Sequence, residues 1–242
     1  MERETTVKKL IWIMGVALCV MAVALAGVTI AWFTDIKETT NVFTAGDVKI
    51  SMTELNPEKE MINVTNHAVQ MDYGYIYPGL KVEKNTTITN IGSEEAYLAA
   101  EIVILGHERG IENVLAIPGE STGKLAIDKF FEGGMWGETF TLVASTESYY
   151  VTYESDHYIV RYDKRHTDGF WIDVFVKEPL SSGQSLMMWN GFTFPDTWGN
   201  DEMLACANLR ISVCMFAAQV SGFNSCTEAI TTAFNGEFGF YE

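Results

Sequence analysis

Short stretches in which apolar residues occupy every second position recur along this chain, and they limit the folds that it can adopt. The clearest are residues 96–104 and Phe170–Val176. A period of two is that of a β-strand with one buried face. Turns rich in Gly, Pro and Asn separate about nine such stretches, which is typical of sandwiches and jelly rolls. We therefore predict an all-β chain with a jelly-roll-like β-sandwich fold.

Two parts of the chain lack this alternation of apolar and polar residues. Residues 106–137 contain seven glycines and only short periodic pieces, at 111–116 and 125–131, which we interpret as short helices in an insertion at one edge of the sandwich. Near the end, Ser225 and Glu228 have the spacing of a capping box, and apolar residues follow on one face. This pattern predicts a C-terminal helix.

The N-terminus has the pattern of an export signal. Arg3, Lys8 and Lys9 precede a run without any charged residue from residue 10 to residue 33. A positive start, an apolar centre and small residues at the end are typical of a secretory signal peptide. We predict that residues 1–31 are this signal, cleaved between Ala31 and Trp32, and that residues 32–242 form one β-sandwich domain. A run of roughly 20 apolar residues also spans a bilayer, so an uncleaved anchor is the alternative.

Charge and cysteine content restrict the partners. The chain carries a formal charge of −16, and an acidic surface repels nucleic acid and anionic lipid, so we expect neither as a partner. Three cysteines follow the leader, Cys206, Cys214 and Cys226. One disulfide with a free thiol, or three thiols, are both compatible with this odd number. Their spacing matches no structural zinc site.

The residues that usually carry catalysis show no recognised pattern. His107 and Glu108 begin like a zincin helix, but the second histidine four residues later is missing and glycines flank the segment. The acidic residues between 156 and 168 lack the order of a calcium loop. We predict no catalytic residue, no metal and no cofactor, and hence no enzyme. The remaining histidines, His67, His157 and His166, lie in polar or turn contexts.

Aromatic residues are abundant in the second half of the chain. They have two interpretations, a platform that stacks on sugars, or the core and rim of an alternating sheet, and we expect the second. The residues concerned are Trp136, Trp171, Trp189, Trp198, Tyr149, Tyr150 and Tyr153.

Three separated patches carry a resemblance to one family. The first is Ala-Trp-Phe-Thr-Asp at 31–35 with Asn-Val-Phe-Thr-Ala-Gly-Asp-Val-Lys-Ile at 41–50. The second is Pro78-Gly79 with Thr-Asn-Ile-Gly-Ser-Glu-Glu-Ala-Tyr-Leu at 89–98, and the third comprises short matches between residues 183 and 229. Together they resemble the exported TasA and CalY (camelysin) proteins that are processed by the SipW type of signal peptidase. Residues 106–170 carry no motif of that family.

The resemblance implies a secreted structural protein that forms extracellular filaments in a biofilm matrix or at the cell surface. Its partners would be further copies of itself, an accessory matrix protein and the signal peptidase. In related fibres, the N-terminal segment of one subunit inserts as a strand into the next. Carried onto this chain, the donor strand would run from residue 32 to residue 44, with Trp32, Phe33, Ile36, Val42 and Phe43 as its apolar positions.

Three alternatives remain open on the sequence alone. The same N-terminal residues would also suit an edge strand of the domain to which they belong. Camelysin-like members have been labelled metalloendopeptidases, which makes an enzyme the second functional class. An adhesive or carbohydrate-binding surface module is the third, and it would need an exposed row of aromatic residues.

Overall fold

Two antiparallel sheets face each other and enclose one hydrophobic core, so the predicted all-β sandwich is confirmed. The computed structural model describes residues 34–36, 47–64, 74–106, 110–120, 123–143 and 149–234. The strands, in chain order, are β1 Thr34–Ile36, β2 Ile50–Leu55, β3 Met61–Val64, β4 Lys81–Asn90, β5 Ala96–Leu105, β6 Leu115–Ala116, β7 Leu125–Ala126, β8 Phe131–Glu132, β9 Thr141–Val143, β10 Tyr150–Glu154, β11 Tyr158–Asp163, β12 Phe170–Val176, β13 Ser185–Thr193 and β14 Arg210–Gln219.

The first sheet has seven strands in the order β1-β14-β5-β12-β11-β10-β9. The second has five, in the order β3-β2-β4-β13-β8, and β6 and β7 form a separate parallel pair. Strand β5 is buried on both faces over most of its length. Its residues Leu98, Ile102 and Ile104 belong to the core between the sheets, where they join Ile50, Ile88 and Trp189 of the second sheet.

Three α-helices complete the described part of the chain: α1 Ile127–Phe130, α2 Asn200–Ala205 and α3 Cys226–Ala233. Helix α3 is the predicted C-terminal helix. The Ser225 hydroxyl accepts a hydrogen bond from the Glu228 N–H at 3.2 Å, which satisfies one of the donors that every helix start leaves free. The helix covers the outer face of the first sheet, where Phe216 meets Phe234 edge to face.

The segment from Gly110 to Gly137 lies at one edge of the second sheet, where β8 pairs with β13. It also supplies much of the core, because Ile111, Ile127 and Phe130 are fully buried. The Phe130 ring stacks on Phe192 with a centroid distance of 5.2 Å. This segment is therefore part of the sandwich interior as well as of its edge.

The local structure of that segment differs in part from the predicted pair of helices. Residues 111–116 form a single 3₁₀ turn, Ile111–Asn113, followed by strand β6. Residues 125–131 form a one-turn helix between two short strands. Isolated helical turns of this length have little stability of their own. The conformation of the remaining residues is determined by strand pairing with their neighbours.

Candidate assembly edge

Strand β1 lies at one edge of the seven-stranded sheet and pairs antiparallel with β14. The register places Thr34 opposite Ala218, Asp35 opposite Ala217 and Ile36 opposite Phe216. Residues 37–46, which connect β1 to the described part of the domain, lie outside the described residues. Within the described residues, the pairing thus involves three of the ten residues of β14.

The other side of β14 is paired along its whole length. All ten residues from Arg210 to Gln219 are in register with β5, from Leu105 to Ala96. Ala217 and Ala218 are fully buried. The position of β14 is therefore set by β5 and by the packing around it, and the edge that receives β1 is held in place by the rest of the domain.

The predicted donor positions fall only partly within this edge. Ile36 lies in β1, at the register position opposite Phe216. Trp32, Phe33, Val42 and Phe43 lie outside the described residues, as does the predicted cleavage site between Ala31 and Trp32. Their roles remain predictions.

The two described histidines are exposed, and each contacts a neighbouring side chain. The Nδ1 atom of His157 lies 2.8 Å from Glu138 Oε1, and the His166 ring stacks on Trp171 with a centroid distance of 4.0 Å. His67 and His107 lie outside the described residues. Among the described side chains, no group of three or more His, Cys, Asp or Glu residues is placed to hold a metal ion.

The three described cysteines are free thiols. Cys206 and Cys226 are buried, and burial raises the pKa of each thiol to about 12. Of the two possibilities that the odd number of cysteines allows, the structure shows three thiols, at Cys206, Cys214 and Cys226. Thiols with such a pKa are poor nucleophiles at neutral pH because almost none is ionised.

The aromatic residues do not form one row. Trp136, Trp189 and Tyr153 are buried in the core. Tyr149 and Tyr150 lie together beside Arg165, whose guanidinium is 4.9 Å from the Tyr149 ring centroid. The core-and-rim interpretation therefore describes their distribution.

Residues 6–113 match the sequence model of the family described as Camelysin metallo-endopeptidase. The sandwich and this match together confirm the resemblance to the TasA and camelysin family over that part of the chain. No curated protein matches the chain, and no solved structure matches it. No helix among the described residues is long and apolar enough to cross a membrane.

The description of the matching family names a metallopeptidase, which would require a metal site. A catalytic zinc site takes three protein ligands and an open position for water. His157 and His166 do not converge with further ligands in the described part of the chain. The described residues therefore do not fit such a centre.

Proposed function

We propose that this chain is an exported structural protein that assembles into filaments outside the cell, with the N-terminal segment of one copy pairing along β14 of the next. The observation that carries the proposal is the placement of β1 at the edge of a β14 strand that β5 pairs completely on its other side. The match of residues 6–113 supports the assignment to the TasA and camelysin family.

An exposed strand edge presents a row of N–H and C=O groups, and an added strand satisfies them wherever that strand comes from. A short segment beyond a connecting stretch can supply the same hydrogen bonds to its own domain or to a second copy. Exchange between copies then links them into a chain, because every copy has one donor segment and one receiving edge.

Export belongs to the same proposal. The charge asymmetry of residues 1–31 favours a secretory signal, and its removal at Ala31 would leave Trp32 as the first residue of the donor segment. The protein would then act at the cell surface or in the extracellular matrix, with further copies of itself and an accessory matrix protein as partners. Sequencing the N-terminus of secreted material tests the cleavage, and intact residues 1–9 on membrane-bound protein would instead support an anchor.

Removal of the donor segment tests the assembly proposal. Deleting residues 32–44 should leave a folded, soluble monomer that forms no fibres, because β14 keeps its pairing with β5. Circular dichroism and thermal melting report the fold, and electron microscopy reports the fibres. A matched control replaces residues 32–44 by a Gly-Ser segment of equal length, which preserves the chain length and removes the apolar side chains.

Two outcomes would contradict the proposal. Each large buried side chain contributes roughly 1.5–3 kcal/mol, and a domain has about 5–15 kcal/mol of stability to lose. If the segment is an integral strand, the deletion variant should therefore unfold. Fibres that persist after the deletion would place the contact between subunits elsewhere.

A metallo-endopeptidase is the second candidate, favoured by the description of the matching family. It predicts hydrolysis of casein by the pure protein, loss of that activity with a chelator, and loss also in a His107→Ala variant. We expect no hydrolysis, because the described histidines do not converge on a common centre.

A further inference from the structure

Strand β14 has an apolar cluster on each face of the sheet at the edge that receives β1. Met215 and Ala217 belong to the core between the two sheets. Phe216 and Ala218 alternate with them and belong to a second cluster, on the outer face of the first sheet, which includes helix α3. Phe216 is 3% exposed and Ala218 is fully buried. A strand added at this edge therefore meets packed side chains on both of its faces.

Helix α3 is held in place by strands that lie further inside the sheet. The Cys226 thiol donates a hydrogen bond to the Leu98 carbonyl of β5 at 3.1 Å. Ala229 and Ile230 of the helix are fully buried, in the same cluster as Phe175 of β12. The helix is thus anchored on β5 and β12 as well as on β14. Its position does not depend on which chain supplies β1.

The C-terminal end of α3 reaches the β14 edge through Phe234. This side chain is 6% exposed, and its ring meets the Phe216 ring edge to face with a centroid distance of 5.1 Å. Val220 and Phe223, which lie between β14 and the helix, pack against the same cluster. These four residues form an apolar wall on the outer face beside the β14 edge, which we call the α3 wall.

The register of β1 determines which of its positions lie beside the α3 wall. Directly opposite residues of an antiparallel pair lie on the same face of the sheet. Position 36 is therefore on the outer face with Phe216, and position 35 is on the core face with Ala217. Ile36 is the only apolar residue between positions 34 and 41. A slip of one residue exchanges the two faces and would bring Asp35 to the wall, where burial of an unpaired charge is costly.

We propose that the α3 wall selects the strand that is added to β14, because Ile36 of a second copy packs against Phe216 and Phe234 in the assembled fibre. This contact rests on the proposed function, since the donor comes from another copy. The wall is continuous with the edge at which β1 pairs, which makes β1 of a second copy its occupant. It accepts a branched apolar side chain at position 36 and rejects a charged one.

Synthetic peptides of residues 32–44 test this contact on the unaltered protein. We measure the binding of fluorophore-labelled peptides to the purified full chain by fluorescence anisotropy. The natural peptide should bind saturably, and the Ile36→Ala peptide about tenfold more weakly or worse, because it loses three carbon atoms from an apolar contact. The Ile36→Val peptide should bind within about threefold of the natural peptide, and the Ile36→Asp peptide should not bind. The protein's own β1 competes with every peptide equally, so the ratios are unaffected by it.

A protein variant locates the contact at the helix. In Phe234→Ala the wall loses the ring that meets Phe216, so the ratio between the natural and Ile36→Ala peptides should fall to about threefold or less. The matched control is Leu142→Ala, which shortens an exposed side chain in β9 at the opposite edge of the same sheet and should keep the full ratio. Circular dichroism establishes that each variant is folded. The peptide ratios on the natural protein require neither variant.

The outcomes separate this contact from the assembly proposal. If fibres form but the natural, Ile36→Ala and Ile36→Asp peptides bind equally, the role of the α3 wall is refuted and the assembly proposal stands. If the peptides differ as expected but the natural protein forms no fibres, the contact between strand and wall is supported and exchange between copies is refuted. An unchanged ratio in folded Phe234→Ala protein would overturn the role of the wall, as would the absence of saturable binding by the natural peptide.

Discussion

The ammonium of Lys84 lies 2.8 Å from Glu54 Oε2 on the inner side of the five-stranded sheet, and both side chains are less than a tenth exposed. The second carboxylate oxygen of Glu54 accepts a hydrogen bond from the Thr86 hydroxyl at 2.9 Å. These residues occupy the alternate positions of β2 and β4 that elsewhere hold Met52 and Val82. A charged pair thus stands where the strand pattern predicts apolar residues.

Breaking this pair should destabilise the domain. Glu54→Leu leaves the Lys84 charge without its carboxylate, and removal of one partner of a buried pair costs about 3–5 kcal/mol. Replacing both residues, as Glu54→Leu with Lys84→Met, should recover most of that loss because no unpaired charge remains. Urea unfolding of the two variants measures the difference. A single variant within about 1 kcal/mol of the natural protein would contradict this role.

The segment from Gly110 to Gly137 should behave as core. Phe130 is fully buried and contacts Phe192 and Phe194, so Phe130→Ala should cost about 3–5 kcal/mol. Leu142→Ala in β9, where the side chain is 66% exposed, should change stability by no more than about 0.5 kcal/mol. Thermal unfolding followed by circular dichroism compares them. Equal effects of the two substitutions would mean that the segment is only a surface loop.

Glu132 at the end of β8 should make stability depend on pH. Hydrogen bonds from Lys81 and then Thr193 lower the pKa of its carboxyl, against a smaller opposing effect of burial. A lowered pKa in the folded state stabilises the fold above the unfolded value, near 4.3 for glutamate, and this contribution is lost as the pH falls through the folded pKa.

The variant Glu132→Gln should therefore be less stable than the natural protein at pH 7, by about 0.5–1 kcal/mol for a partly exposed pair. The difference should disappear below the lowered pKa. Urea unfolding at pH 7 and in acid measures both values. A difference that stays constant across this range would show that the carboxylate charge is not its cause.

Much of the fold follows from local sequence patterns. Strand β12 begins and ends as predicted, and the turn at Ser155 closes the hairpin of β10 and β11, with Ser155 N–H donating to the Tyr158 carbonyl. The C-terminal helix follows Ser225 as its cap predicts. In these cases the signal lies within a few consecutive residues, so tertiary contacts did not have to be known.

Other elements depend on contacts that are distant in sequence. Strand β13 runs for nine residues and has register shifts on either side of Trp189. Gly191 allows the approach of β4, since a Cβ at this position would lie 2.0 Å from the Val82 carbonyl oxygen. Helix α2 was not predicted, because Gly199 lacks a capping side chain and its N–H instead donates to Glu202.

The candidate assembly edge was only partly predictable. The N-terminal segment was recognised from its apolar residues and family-like motif, but the identity of β14 as its pairing strand is a property of the topology.

Disulfide trapping shows whether β1 pairs with β14 of its own chain or with β14 of a different copy. Thr34 and Ala218 are directly opposite in the register. Opposed residues of antiparallel strands have Cα atoms about 4.5–5.5 Å apart, within the range that a disulfide bridges. Each residue is changed to cysteine in a separate variant, so that a bond between positions 34 and 218 joins two chains.

We mix Thr34→Cys with Ala218→Cys protein, allow fibres to form, oxidise them and identify the linked peptides by mass spectrometry. The control mixes Thr34→Cys with Leu142→Cys, which lies in β9 at the opposite edge of the same sheet. Strand exchange between copies predicts a 34–218 bond in fibres and no 34–142 bond. It is contradicted if the mixed fibres lack the 34–218 bond while a chain that carries both Thr34→Cys and Ala218→Cys forms that bond internally and still assembles.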